Sequence, residues 1–74
     1  MRTIFTPAQL AASLRNLRKA SDLTQQQLAA KAGLQQKTVS KLEVSPDGVE
    51  IRTLFLYLSA LGANLALDVD TRRP

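Results

Sequence analysis

Few side chains in this 74-residue chain could carry covalent chemistry, and those few lack helpers. There is no Cys and no His. That excludes disulfides, thiolate or imidazole zinc sites, and nucleophiles of the Cys–His kind. Ser13, Ser21, Ser40, Ser45 and Ser59 have no imidazole to activate them. No glycine-rich phosphate loop is present. Asp68 and Asp70 stand two apart and would share one face of a strand. Without His or another acidic cluster they read as solvated edge charges, which discourage stray strand pairing, and not as a metal pair. The residues therefore point to no enzyme, no catalytic group, no metal and no cofactor.

What the chain does offer is hydrogen bonding by amides, hydroxyls and cations. Stepping about 100° per residue from Gln36 puts Val39, Leu42 and part of Thr38 on an inner face, and Gln36, Lys37, Ser40 and Lys41 on an outer one. None of the outer four is acidic. All can donate to base edges or phosphates, and a Gln can grip adenine at two points. A helix that is merely solvated would usually mix in Glu or Asp. The charge distribution agrees. Residues 1–42 hold seven cations (Arg2, Arg15, Arg18, Lys19, Lys31, Lys37, Lys41) against Asp22, a net +6, while residues 43–74 come to −2, within a total of +4. A basic half and a mildly acidic half suggest a polyanion surface and a separate surface for something else.

These groups need rigid elements to hold them. Thr6-Pro7-Ala8-Gln9 predicts a first helix, with Thr6 as N-cap, Pro7 at the first helical position and Gln9 completing a capping box. Phe5 and Leu10 are spaced for a hydrophobic staple. Leu10, Leu14 and Leu17 form the inner stripe, and Arg15, Arg18 and Lys19 lie off it. Thr24 and Gln27 predict a second capping box, Leu28, Ala29 and Ala32 an inner face, and Gly33 a left-handed C-cap. A third helix is expected from about Gln36 to Glu43. After the Ser45-Pro46-Asp47-Gly48 turn cluster a fourth helix starts near Glu50, with a stripe of Ile51, Leu54, Phe55, Leu58 and Leu61 and a stop at Gly62. Leu56 and Tyr57 fall off that stripe, as scattered surface hydrophobes or as a contact surface. Beyond Gly62 the period changes to two: Leu65, Leu67 and Val69 alternate with polar or small residues, which predicts a strand.

Residues 25–42 thus have the spacing of a helix-turn-helix. Leu28, Ala29, Gly33, Leu34, Val39 and Leu42 are its structural positions; Ala29 must be small where the helices cross, and Gly33 must reach positive φ. An ordinary αα-hairpin with a Gly turn is the alternative, and the acid-free outer face argues against it.

Thr24-Gln25-Gln26-Gln27-Leu28-Ala29, Gly33-Leu34-Gln35-Gln36 and Thr38-Val39-Ser40-Lys41-Leu42-Glu43 closely resemble the phage repressor/Cro-like (XRE) helix-turn-helix family. In that family the Gln opening the second helix commonly contacts a phosphate and braces the Gln opening the recognition helix, eleven residues on, the separation of Gln25 and Gln36. A narrower resemblance runs from about Phe5 to Val69. Thr6-Pro7-Ala8-Gln9-Leu10-Ala11, Leu23-Thr24-Gln25, Gly33-Leu34-Gln35-Gln36, the Ser45–Gly48 turn and the Asn64–Asp68 strand are similar to HipB-type antitoxins, the partners of HipA-type kinase toxins. The resemblance implies operator DNA as a partner. Gln26, Gln35, Gln36, Lys37 and Ser40 would touch bases, and Gln25, Thr38, Lys41 and Arg18 phosphates. It also implies a HipA-like toxin bound away from the third helix. The tail stops shortly after the strand, short of the family pattern.

A lone strand cannot satisfy its own backbone groups, so the expected architecture is an all-α, compact four-helix DNA-binding domain over residues 6–62. A dimerisation strand follows at 63–70, then a frayed end at 71–74. Leu65, Leu67, Val69, Leu56 and Tyr57 would hold a homodimer. With no apolar leader and no membrane-length apolar run, the expected location is cytoplasmic, on the nucleoid at its operator. The expected function is a DNA-binding autorepressor that also neutralises a toxin. A stand-alone repressor without a toxin partner is the alternative, and a helical adaptor using the third helix on an acidic protein is an alternative of another class.

Overall fold

The computed structural model describes residues 3–69, and they form four helices: α1 (Pro7–Ala20), α2 (Gln25–Ala32), α3 (Gln36–Leu42) and α4 (Ile51–Ala60). Arg2, Asp70 and the expected frayed end lie outside the described residues.

Local chemistry sets the boundaries. The Thr6 hydroxyl accepts from the Gln9 backbone N–H at 3.1 Å. The Gln9 side chain reaches one residue further back than a capping box requires and accepts from the Phe5 N–H at 2.6 Å. The expected Phe5–Leu10 staple buries little, since Phe5 is 80% exposed. α2 carries the complete reciprocal box between Thr24 and Gln27. It ends with Gly33 at φ +73°, whose left-handed turn lets the Leu34 N–H reach the Ala29 carbonyl at 2.8 Å. α1 ends the same way on a residue with a side chain: Asp22 has φ +58°, with bonds from Asp22 to Lys19 and from Leu23 to Arg18.

The core is Leu14, Leu28, Ala29, Val39, Leu42, Leu54, Tyr57, Leu58 and Ala60. Ala29 and Val39 are both buried where α2 packs on α3, which is why position 29 must be small. Helix phases differ from the periodicity in two places. In α1 the buried spacing is Ala11, Leu14, Arg18, and Leu17 is substantially exposed. In α4 the buried positions are Leu54, Tyr57, Leu58 and Ala60, with Ile51 and Phe55 exposed. The stripe is rotated because Tyr57 is drawn inward by polar partners that no hydropathy pattern encodes.

Tyr57 is fully buried, so its assignment to a dimer surface is corrected: its hydroxyl is engaged inside the chain. Leu56 remains exposed. Residues 63–69 carry no strand in the single chain. Leu65, Leu67 and Val69 are all exposed there, Leu67 at 90%. No helix among the described residues is long and apolar enough to cross a membrane.

Candidate nucleic-acid interface

α3 is seven residues long and is anchored from one side only. Val39 and Leu42 are buried, Thr38 and Ser40 are half-buried, and Gln35, Gln36, Lys37 and Lys41 are exposed. The rotation expected from the sequence therefore holds, with Ser40 nearer the edge of the face than its centre. Gln26, on the first turn of α2, is exposed as well, and Gln25 beside it is half-buried. α2 and α3 together thus present amides, two hydroxyls and three lysines, counting Lys31 of α2, with no carboxylate among them. One flank of α3 opens onto a groove lined by Lys37, Thr38, Lys41, Gly48, Val49, Glu50 and Thr53, where Glu50 is the single acid.

Behind this face lies a charged cluster in the core. Glu43, the C-cap of α3, is 2% exposed and Arg18 is 8% exposed. The guanidinium grips the carboxylate at two points, Nε to Oε2 at 2.8 Å and Nη2 to Oε1 at 2.9 Å. Its Nη1 donates to the Leu23 carbonyl at 2.8 Å, holding the α1–α2 connection. The Tyr57 hydroxyl lies 2.5 Å from Glu43 Oε2 and 3.0 Å from the Leu14 carbonyl, and its single proton favours the charged acceptor. Gln25 Nε2 donates to Glu43 Oε1 at 3.3 Å. One carboxylate therefore ties α1, α2 and α4 to the end of α3, and no buried side-chain polar atom among the described residues is left without a partner.

The energetics follow the geometry. Burial alone pushes the Glu43 carboxyl up, but the hydrogen bonds from Arg18, Tyr57 and Gln25 outweigh it and hold the group below its ordinary value, so it stays ionised. Burial and the neighbouring Glu43 charge push the Tyr57 hydroxyl well up, so it stays neutral. The hydrogen bond to Glu43 raises Arg18 against the opposing cost of burial.

This cluster corrects one assignment. Arg18 is turned into the core and not out to a phosphate: it is 8% exposed and donates from all three nitrogens to groups inside the chain. Gln25 is held by Glu43, and no bond from it to Gln36 forms in the free chain among the described residues. Neither Glu43 nor Tyr57 is identified by periodicity. A signal for Arg18 did exist: it completes the Ala11–Leu14 spacing, and a cation on a core stripe implies a buried anion.

The chain matches the helix-turn-helix model HTH_3 over residues 14–67. It is 36% identical over 64 residues to the antitoxin HipB of Escherichia coli, an alignment covering 86% of this chain and 73% of the K12 protein. It superposes on HipB in a HipA–HipB–O2–O3 complex with a TM-score of 0.87 at 35% identity, over 96% of this chain and 99% of that one. A HipB–O4 20mer complex gives the same TM-score at 34% identity, over 96% and 99%. With the four helices, the Gly33 turn and the α2–α3 packing in place, the chain belongs to the XRE-type helix-turn-helix family and, within it, to the HipB antitoxins.

Proposed function

We propose that this protein is a sequence-specific, operator-binding repressor that also serves as the antitoxin of a HipA-like kinase toxin, and that it acts as a cytoplasmic homodimer. The observation that carries the reading is the acid-free outer face of α3, seated rigidly on a buried core. α3 enters the major groove with Gln36, Lys37 and Ser40 toward base edges, and Gln26 and Gln35 reach bases from its near end. Gln25, Thr38 and Lys41 meet phosphates. Two copies place their recognition helices on half-sites roughly 34 Å apart. The solved HipB relatives in complex with HipA and with O2, O3 and O4 support both partners.

The dimer is held by residues 63–70 pairing as a two-stranded ribbon across a two-fold axis. This satisfies backbone groups that one chain leaves open and covers Leu65, Leu67 and Val69, with Leu56 at its margin. The toxin binds away from the outer face of α3, on the half of the chain that carries Asp47, Glu50, Asp68 and Asp70, with Glu50 at the margin beside the flank of α3. Co-expression with the adjacent reading frame tests the antitoxin reading. Co-purification with rescue of growth supports it. A neighbour that neither binds nor harms growth leaves a stand-alone repressor.

A further inference from the structure

The bond from Gln25 is the longest of those that Glu43 accepts, 3.3 Å against 2.5–2.9 Å for the others, and adds least to neutralising the carboxylate. Glu43 is already neutralised by a two-point guanidinium and a phenol hydroxyl, and Gln25 opens α2 at the surface, half in water. We propose that Glu43 is a positioning residue for DNA: from inside the core its carboxylate orients the carboxamide of Gln25 so that this side chain meets a phosphate with a donor. The proposal rests on the operator-binding reading above.

The chemistry runs through the amide's two ends. A carboxylate accepts hydrogen bonds and donates none, so only the Nε2 end of Gln25 can face Glu43 Oε1, at 3.3 Å. The opposite orientation would set a carbonyl oxygen against an anion. Nε2 carries two hydrogens, and one is taken by Glu43. The second has no partner among the described residues, and it is the kind of group a phosphate oxygen accepts from. Glu43 itself cannot swing away to release Gln25. Arg18 and Tyr57 hold both of its oxygens, and it is 2% exposed. The buried pair thus gives a flexible surface Gln one orientation before DNA arrives, which reduces the ordering cost of the contact.

A double-mutant cycle tests this, using a duplex selected by the wild-type protein from a random pool. Gln25→Met keeps the shape and removes the donor. It should raise Kd roughly tenfold, the equivalent of one hydrogen bond to a charged group. The salt dependence should be unchanged, because a neutral amide releases no counterion of its own, whereas Lys41→Ala should flatten the slope. Glu43→Gln can turn its own amide nitrogen toward Gln25 and reverse it. It should cost a similar factor, and adding Gln25→Met to it should cost nothing more. Glu43→Asp keeps the charge but withdraws it by one methylene, and should also weaken binding. Ala60→Gly loosens the core from α4 without touching Gln25 or Glu43 and should leave Kd within about twofold, so general loosening of the core can be told from loss of positioning. Additive losses from Gln25→Met and Glu43→Gln, or wild-type affinity in folded Glu43→Asp, would overturn the proposal. A wild-type chain that selects no duplex would instead remove the operator-binding reading beneath it.

Discussion

Arg18→Met removes the cation from the core and leaves the anion behind. The Arg18 and Glu43 side chains are 9% and 1% exposed, so neither charge is solvated in the fold. Breaking such a pair from one side costs about 3–5 kcal/mol. Tyr57 and Gln25 still donate to the stranded carboxylate, which places the expected loss near the lower end, about 3 kcal/mol. A chain this size has roughly 4–11 kcal/mol in total, so the variant folds with little margin. With a urea dependence of about 1–1.5 kcal/mol per M, the midpoint should fall by roughly 2–3 M. Far-UV circular dichroism at fixed protomer concentration reads it, since the proposed dimer would make stability concentration-dependent.

The pH dependence gives the sharper signature. In the wild type the carboxyl of Glu43 is depressed below 4.5, so its contribution is present above that pH and is lost as pH falls through the folded value. In Arg18→Met burial is no longer outweighed and the folded value rises. The variant then gains relative stability as pH drops from neutral toward 4.5, and the two curves converge. Replacing the cluster together, with Arg18→Met, Glu43→Leu and Tyr57→Phe, should cost far less than Arg18→Met alone. A loss under about 1 kcal/mol at pH 7, flat across pH, would refute the claim that the pair is desolvated.

Other perturbations separate local from tertiary causes. Ala29→Val overpacks the α2–α3 crossing and should cost about 1–3 kcal/mol in the same melt. Gly33→Ala should cost about 1 kcal/mol from positive φ alone, because nothing lies within 4 Å of the added Cβ. Asp22→Gly should move the other way and raise the melting temperature by a few degrees, since φ +58° suits glycine better. Truncation after Gly62 should give a monomer or an aggregate in sedimentation and weaken DNA binding; a tight dimer would place the contact on α4 at Leu56 and its exposed neighbours instead.

Much of the frame was legible because it is local. Thr24 with Gln27, Gly33 as a left-handed stop and the small Ala29 each act within a few residues, and each appears where the sequence places it. The outward face of α3 was legible for the same reason, since a short helix with two buried residues has one possible rotation. What escaped is non-local. Arg18 and Glu43 are 25 residues apart, and Tyr57 reaches 43 residues back to Leu14. A period-3.6 count assigns a cation and a phenol outward by default and cannot know that each has a partner. The same contacts rotated α4, which exposed Ile51 and Phe55 and buried Tyr57. Residues 63–69 show the converse: a period-two pattern predicts a strand, but a ladder needs a second strand, and no strand forms among the described residues.

The most direct measurement is competitive gel-shift titration of Gln36→Ala and Lys37→Ala against the selected duplex and single-base variants of it. Each substitution should weaken the selected duplex by about 1–3 kcal/mol and relax discrimination at one base pair per half-site, while unrelated DNA binds as before. Unchanged affinity and unchanged base preference in both variants would contradict the assignment of α3 as the reading face.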